Sequence, residues 1–217
     1  MSKILLPEWA EQDAIMLTWP HQETDWHVNL SQIESVFVEI SCAVLARQKL
    51  LIVCHNQQLN DHVQSLLLAV GANLKHVLFV IAPTNDAWAR DHGPISVKDE
   101  HGKVTALDFT FNGWGNKYPA QLDNAINQAV FEQLAISSFR SVDLVLEGGG
   151  IEIDEVGHLL TTRRCLLNRN RNPNLDQATI EAMLSEHLGA KKVLWLNSGA
   201  LDGDDTDSHI YTLARMA

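Results

Sequence analysis

Trp88-Ala89-Arg90-Asp91-His92-Gly93-Pro94 follows the apolar run His76 to Ile81 across a turn marked by Pro83 and Asn85. A buried strand that empties into Trp, Arg, Asp and His is how a rigid scaffold presents reactive groups at its rim. Alone, such a heptapeptide is equally well an ordinary turn, with Trp88 packed and Arg90 paired to Asp91. The strand before it and the punctuation around it set the frame for the rest of the chain.

On either side of this stretch, apolar strands alternate with helical patterns. Ala14 to Trp19 reads as a strand and Leu50 to Cys54 as a buried one. Between them Ile33, Val36, Phe37, Ile40 and Val44 recur at helical spacing behind Ser31-Gln32-Ile33-Glu34, which has capping-box form. Leu59 to Val70 reads as a second helix stopped by Gly71. Further on, Ile95 to Val97 with Val104 to Phe109, and Ile151 to Ile153 with His158 to Thr162, flank Gly-bearing loops and predict two hairpins. Leu122 to Leu134 and Asp176 to Leu188 read as helices, Val142 to Leu146 and Val193 to Leu196 as strands. This alternation predicts an α/β protein.

Composition narrows the function. Of 217 residues, 46% are apolar and 20% charged, as in an ordinary globular protein. A net charge of −11 argues against nucleic acid as a partner, because phosphate binding needs a basic face. No apolar stretch is seen to approach the roughly 20 residues of a membrane span, so no membrane role is expected. Met1 to Trp9 has no apolar core and is not a secretory signal. Cys42, Cys54 and Cys165 show no CxxC spacing, which fits a reducing cytoplasm and excludes a zinc ribbon.

Four later stretches carry the chemistry. Phe111-Asn112-Gly113-Trp114-Gly115-Asn116-Lys117-Tyr118 reads either as a packed surface loop or as backbone that must approach something closely. Glu147-Gly148-Gly149-Gly150, straight after a strand, needs a steric reason for three glycines around one carboxylate. Arg163 to Pro173 holds four arginines, which in so acidic a chain read as a solvated loop. The run from Asp202 to His209 fails the calcium-loop pattern, with Asp207 where Gly is required and Leu213 where Glu is required. No second His or Cys stands at ligand spacing, so no metal site is expected. Asp91, Glu147 and His209 each follow a strand-like run, and acid–base groups converging on one pocket outline an enzyme or a binder of a small cation.

Taken together, Trp88 to Pro94, Phe111 to Gly115, Glu147 to Gly150, Leu166-Leu167-Asn168 with Arg171-Asn172-Pro173, and Asp204 to His209 resemble the agmatine deiminase and bacterial peptidyl-arginine deiminase family. Pro7-Glu8-Trp9 and Trp19-Pro20-His21 also resemble that family's start, and the matches run in order nearly end to end. The resemblance implies one domain over residues 1–217, with the pentein fold (an α/β-propeller), incomplete at about three of its five modules. It implies a hydrolase that converts a guanidinium to a ureido group with release of ammonia. The substrate would be agmatine, giving N-carbamoylputrescine in putrescine and polyamine synthesis, or peptidyl-arginine, giving citrulline. No cofactor is implied. Asp91 would hydrogen-bond the guanidinium, Glu147 would orient the imidazole, His209 would be general acid and base, and Trp88 and Trp114 would line the substrate channel.

Two departures stand out. The family's His-x-Asp motif reads His209-Ile210-Tyr211 here, and a phenol carries no charge near neutral pH. The family's nucleophilic cysteine, late in its members, has no counterpart among the three cysteines, each of which reads as structural. The expectation is a chain lacking the C-terminal third, which self-associates or takes a complementing C-terminal fragment, and whose own activity is in doubt. The alternative is a non-catalytic remnant or cation-binding module.

Overall fold

The computed structural model describes residues 3–216. The chain forms two compact units, one from Met1–Ala10, Arg90–Ala120 and Ser137–Ala217, the other from Glu11–Ala89 and Gln121–Ile136.

In the first unit, β1 (Lys3–Leu5), β5 (Ile95–Asp99), β6 (Val104–Thr110) and β7 (Phe139–Val145) form a sheet in the order β1-β5-β6-β7. The predicted hairpin joins β5 to β6, and its turn is held by Asp99 Oδ1, which accepts from His101 N and Lys103 N at 2.9 Å each. A second sheet has the order β10-β9-β8, from β8 (Ile151–Ile153), β9 (His158–Thr162) and β10 (Lys192–Leu196). Asp154 Oδ1 closes the β8–β9 turn by accepting from Val156 N at 3.0 Å and His158 N at 2.7 Å. The helix Gln177–Leu188 leads into β10, which pairs with β9 in parallel. Asp176 caps that helix, accepting from Thr179 N at 2.8 Å, and Gly189 ends it at φ +70°. The core is aliphatic, with Val97, Leu107, Leu144, Leu146, Leu159, Leu166, Leu184 and Leu188 buried. Fully burying such a side chain stabilises by about 1.5–3 kcal/mol. β1 escaped the sequence reading because three half-buried residues show no alternation.

In the second unit, β2 (Ala14–Thr18), β3 (Lys49–Cys54) and β4 (Val77–Ile81) make a parallel sheet with β3 central. Leu50 to Cys54 are all buried, as the unbroken apolar run requires. Three helices belong to this unit: Leu30–Leu45, Gln57–Ala69 and Ile126–Gln133. The expected capping box is not formed. A 3-10 turn, Asp25–Asn29, capped by Thr24, feeds straight into the helix at Leu30, and Ser31 Oγ instead donates to Gln32 Oε1 at 3.4 Å. Residues Asp25–Leu45 together form a helical stretch of 21 residues, long and apolar enough to cross a membrane by length and composition, which corrects the sequence reading on that point. In this unit Phe37, Val38, Val44 and Leu45 of that stretch pack on the core of Trp19, Leu50 and Ile52, and Glu34 accepts from Trp19 Nε1 at 3.2 Å.

Candidate active site

Three loops of the first unit converge on one imidazole. Asp91 lies on the helical turn Ala89–His92, Glu147 at the end of β7 before the 3-10 turn Gly148–Gly150, and His209 just before the helical turn Ile210–Leu213. His209 is fully buried between the two carboxylates, with Nδ1 3.5 Å from Asp91 Oδ1 and Nε2 3.7 Å from Glu147 Oε2. Both spacings are longer than an ordinary hydrogen bond. Asp91 is fixed from two other sides: Trp114 Nε1 donates to Oδ2 at 2.9 Å and Gly149 N donates to Oδ1 at 3.0 Å.

The three glycines have the steric reason their sequence demanded. A Cβ on Gly148 would strike the Arg90 carbonyl oxygen. One on Gly149 would collide with the Tyr211 ring and lie 2.5 Å from Asp91 Oδ1 and 2.6 Å from His209 Nδ1. One on Gly150 would press to 3.2 Å from Cys165 Sγ. Glycine here lets Asp91, His209 and Tyr211 close around one backbone segment.

The Arg163 to Pro173 stretch is not the solvated loop expected. Arg171 is buried, and its side chain has no exposure at all. Nε donates to Glu147 Oε1 at 2.9 Å and Oε2 at 2.8 Å, Nη1 to Asp207 Oδ2 at 2.8 Å, and Nη2 to the Thr206 carbonyl at 3.0 Å. So Glu147 pairs with Arg171 more closely than with the imidazole it was expected to orient. Asp207 also takes Lys117 Nζ at 2.7 Å and Asn168 Nδ2 at 3.1 Å. It needs such anchoring, because Asp207 and Ser208 hold φ of +62° and +65°, which costs roughly 1–3 kcal/mol apiece for non-glycine residues. Trp114 adopts φ +55° in the glycine-flanked loop, where Asn112 Oδ1 caps Gly115 N at 2.9 Å, and this turns the indole onto Asp91. Trp88, by contrast, is 44% exposed in the second unit, its Nε1 on Asp86 Oδ2 at 3.0 Å and its ring 5.9 Å from Trp26.

Charge follows from this packing. Burial raises the Asp91 carboxyl, against the opposing pull of His209, and the nearby Glu147 adds to the rise. Burial would raise Glu147 too, but His209 and Arg171 outweigh it and hold this carboxyl below its ordinary value. Burial likewise raises the Tyr211 phenol, with Asp91 and Asp204 adding to it.

Cys165 lies within this cluster, its Sγ 4.0 Å from Glu147 Oε2. Burial pushes its thiol up, against the pull of Arg171, which disfavours the thiolate that a nucleophile needs. Glu147, Cys165 and His209 offer ligand atoms within 4.8 Å of one another, the one such group among the described residues. They suit a metal poorly, since both Glu147 oxygens already accept from Arg171. A cavity of about 280 Å³ in the second unit is lined by His21, Glu23, Glu34, His55 and His62. Its rings are engaged: His21 stacks on His55 at 4.1 Å and meets Thr84 Oγ1 at 2.9 Å, and His62 Nε2 meets Glu34 at 2.9 Å.

The first unit thus holds one imidazole between two buried carboxylates, beside the glycines of the Gly148–Gly150 turn. The Porphyromonas-type peptidyl-arginine deiminase family matches residues 4–217 of the chain, and the chain belongs to that family. It is 35% identical over 208 residues to the agmatine deiminase of Stutzerimonas stutzeri (strain A1501), a match covering 94% of this chain and 55% of the relative. The agmatine deiminase of Pseudomonas aeruginosa (strain LESB58) is 33% identical, with the same coverage. The structure of a C. jejuni agmatine deiminase with substrate bound superposes with a TM-score of 0.90 at 40% identity, over 99% of this chain and 62% of that one. That of Enterococcus faecalis agmatine deiminase gives 0.84 at 30% identity, over 96% and 56%. The fold is therefore the pentein fold of these deiminases, and the chain spans about half the length of the curated relatives it matches.

Proposed function

We propose that this chain carries the guanidinium-recognition and proton-transfer part of a deiminase that converts a guanidinium to a ureido group with release of ammonia, agmatine being the preferred substrate over peptidyl-arginine. The observation that carries this reading is the placement of His209 3.5 Å from Asp91 and 3.7 Å from Glu147. Asp91 supplies the carboxylate for the guanidinium nitrogens, and His209 moves the proton to the leaving amine and takes one from water. Trp114 positions Asp91, and the ionised Glu147 stabilises the imidazolium.

The covalent step of such a reaction needs a thiolate, and none of the three cysteines supplies one to this cluster. Cys54 and Cys165 are buried with raised thiols, and Cys42 lies on the helix Leu30–Leu45 of the other unit. On this reading the 217 residues bind the guanidinium, and turnover requires a thiol from a complementing segment or partner chain. A second reading, a cation-binding module without turnover, is favoured by Tyr211, which adds no charge opposite Asp91.

The test is titration of the chain with agmatine, followed calorimetrically, with ammonia measured in parallel. Saturable binding that Asp91→Asn abolishes supports the guanidinium site. Ammonia release by this chain alone would show that it does hold a nucleophile, and absence of any agmatine binding would sink both readings.

A further inference from the structure

We propose that Arg171 is the positioning residue of this site, one buried guanidinium that holds the Glu147 carboxylate and the Asp204–His209 turn in a single register. The inference deepens the reading of Glu147 and His209 as working groups, but its test needs no substrate.

The geometry is that of a fork wedged between two loops. Nε faces both oxygens of Glu147 at 2.8 and 2.9 Å, while Nη1 and Nη2 reach Asp207 Oδ2 at 2.8 Å and the Thr206 carbonyl at 3.0 Å. Nη1 also lies 3.5 Å from the Cys165 carbonyl. None of these hydrogen bonds goes to His209. Arg171 acts on the imidazole from two directions, through the carboxylate beside it and through the residues just before it in the chain. Those residues, Asp207 and Ser208, are in left-handed backbone that L side chains leave unless tied down. Asp204 Oδ2 ties Ser208 N at 2.6 Å within the turn, while Arg171 bridges Asp207 and Thr206 of the turn to Glu147.

Charge gives the second half of the argument. Glu147 is faced by Arg171, His209 and the Cys165 thiol, with Asp91 across the imidazole. A fully buried carboxylate beside a second buried carboxylate takes up a proton unless a cation is fixed against it. Arg171 is that cation, and it is permanently charged. Lysine would keep the charge but not span Glu147 and Asp207 together, because an ammonium has no planar fork. The residue thus acts with His209 to keep Glu147 ionised, and it sets the place of His209 through both loops.

The experiment is a pH titration of the Glu147 carboxyl carbon and the His209 ring signals by NMR in the intact chain. Parent, Arg171→Gln, Arg171→Lys and Asn172→Ala are compared. Asn172 holds the same loop through hydrogen bonds to Val145 N and O rather than to Glu147 or His209, so it reports on loop support. In Arg171→Gln the Glu147 titration is expected to move upward, from below to above the ordinary carboxylate range, and the His209 ring signals to shift. Arg171→Lys is expected to keep Glu147 low yet still displace the His209 signals. Asn172→Ala is expected to lower the thermal midpoint and move neither. Arg171→Lys with unmoved His209 signals overturns the proposal, even if Arg171→Gln fails to fold. An effect of Asn172→Ala on both probes equal to that of Arg171→Gln would reduce Arg171 to structural support and overturn it as well. Absence of agmatine binding in the parent leaves this comparison intact.

Discussion

Gly149 donates its backbone N–H to Asp91 Oδ1 at 3.0 Å, at a point where no side chain larger than hydrogen fits between Asp91, His209 and Tyr211. The close approach and the hydrogen bond are one device. Backbone without a Cβ comes near enough to donate to a buried carboxylate whose other neighbours are the Trp114 indole and the His209 ring.

Gly149→Ala should therefore damage the site from its centre. The added methyl overlaps Tyr211 and sits 2.6 Å from His209 Nδ1, so Asp91 or the imidazole must move. We expect a stability loss of about 1–3 kcal/mol, the range for overpacking a buried site, and loss of saturable agmatine binding. Chemical denaturation with a parallel calorimetric titration checks both, and an unchanged denaturation midpoint would refute the packing argument.

Tyr211 supplies the second test. It is partly buried against Gly149 with its ring 5.7 Å from that of His209, and Asp91 and Asp204 help hold its phenol neutral. Tyr211→Asp places a second carboxylate near Asp91. Agmatine should bind about tenfold tighter, some 1.4 kcal/mol, because an anion on each side of a guanidinium beats one. Equal or weaker affinity in the variant would mean that the phenol, not a missing charge, defines this pocket's ligand.

Asp123, buried in the second unit, gives a pH dependence with a definite sign. Its Oδ1 accepts from Asn85 N at 2.7 Å and Asp86 N at 3.3 Å, but burial pushes the carboxyl up to about 6, with Asp86 adding to the rise. A carboxyl raised in the folded state binds its proton more tightly there than in the unfolded chain, where it titrates near 3.8. Its stabilising contribution is complete below the unfolded value and is lost as pH rises through about 6. Asp123→Asn should thus stabilise the protein most at pH 7, by on the order of 1–3 kcal/mol, and this advantage should shrink as pH falls from 6 toward 4. The difference between variant and parent is the quantity to measure. Burial holds His92 down to about 4, and that group works in the opposite sense over the same range.

Thiol chemistry tests the assignment of the cysteines. Cys42 is partly exposed, whereas Cys54 and Cys165 are fully buried and burial raises both thiols, Cys54 to about 12. An aromatic disulfide reagent should label one thiol quickly in the native protein and three after denaturation. Cys42→Ser should remove the fast phase. Rapid native labelling of Cys165 would mean that the thiol beside Glu147 is more available than its burial implies.

How far the sequence reached can be judged residue by residue. The strand Leu50 to Cys54, both hairpins, and the helix Asp176 to Leu188 with its Asp cap and Gly stop were legible, because periodicity, turn residues and caps are local signals. Asp91, Glu147 and His209 could be singled out because each follows a strand-like run by a loop, and three glycines in a row demand a cause. The sequence by itself thus determined the α/β class and the family, and it picked out three residues that the fold brings together. What it could not display was pairing across the fold. Arg171 looks like one more solvated arginine until Glu147, 24 positions before it, and Asp207, 36 after it, are brought to its guanidinium. Asp207 looks unremarkable, and Trp114 reads only as a channel-lining aromatic, until left-handed backbone aims the indole at Asp91 and seats Asp207 before His209. A buried ion pair leaves no local periodicity, because its energy depends on removing both charges from water together, and only the tertiary structure decides which charges those are.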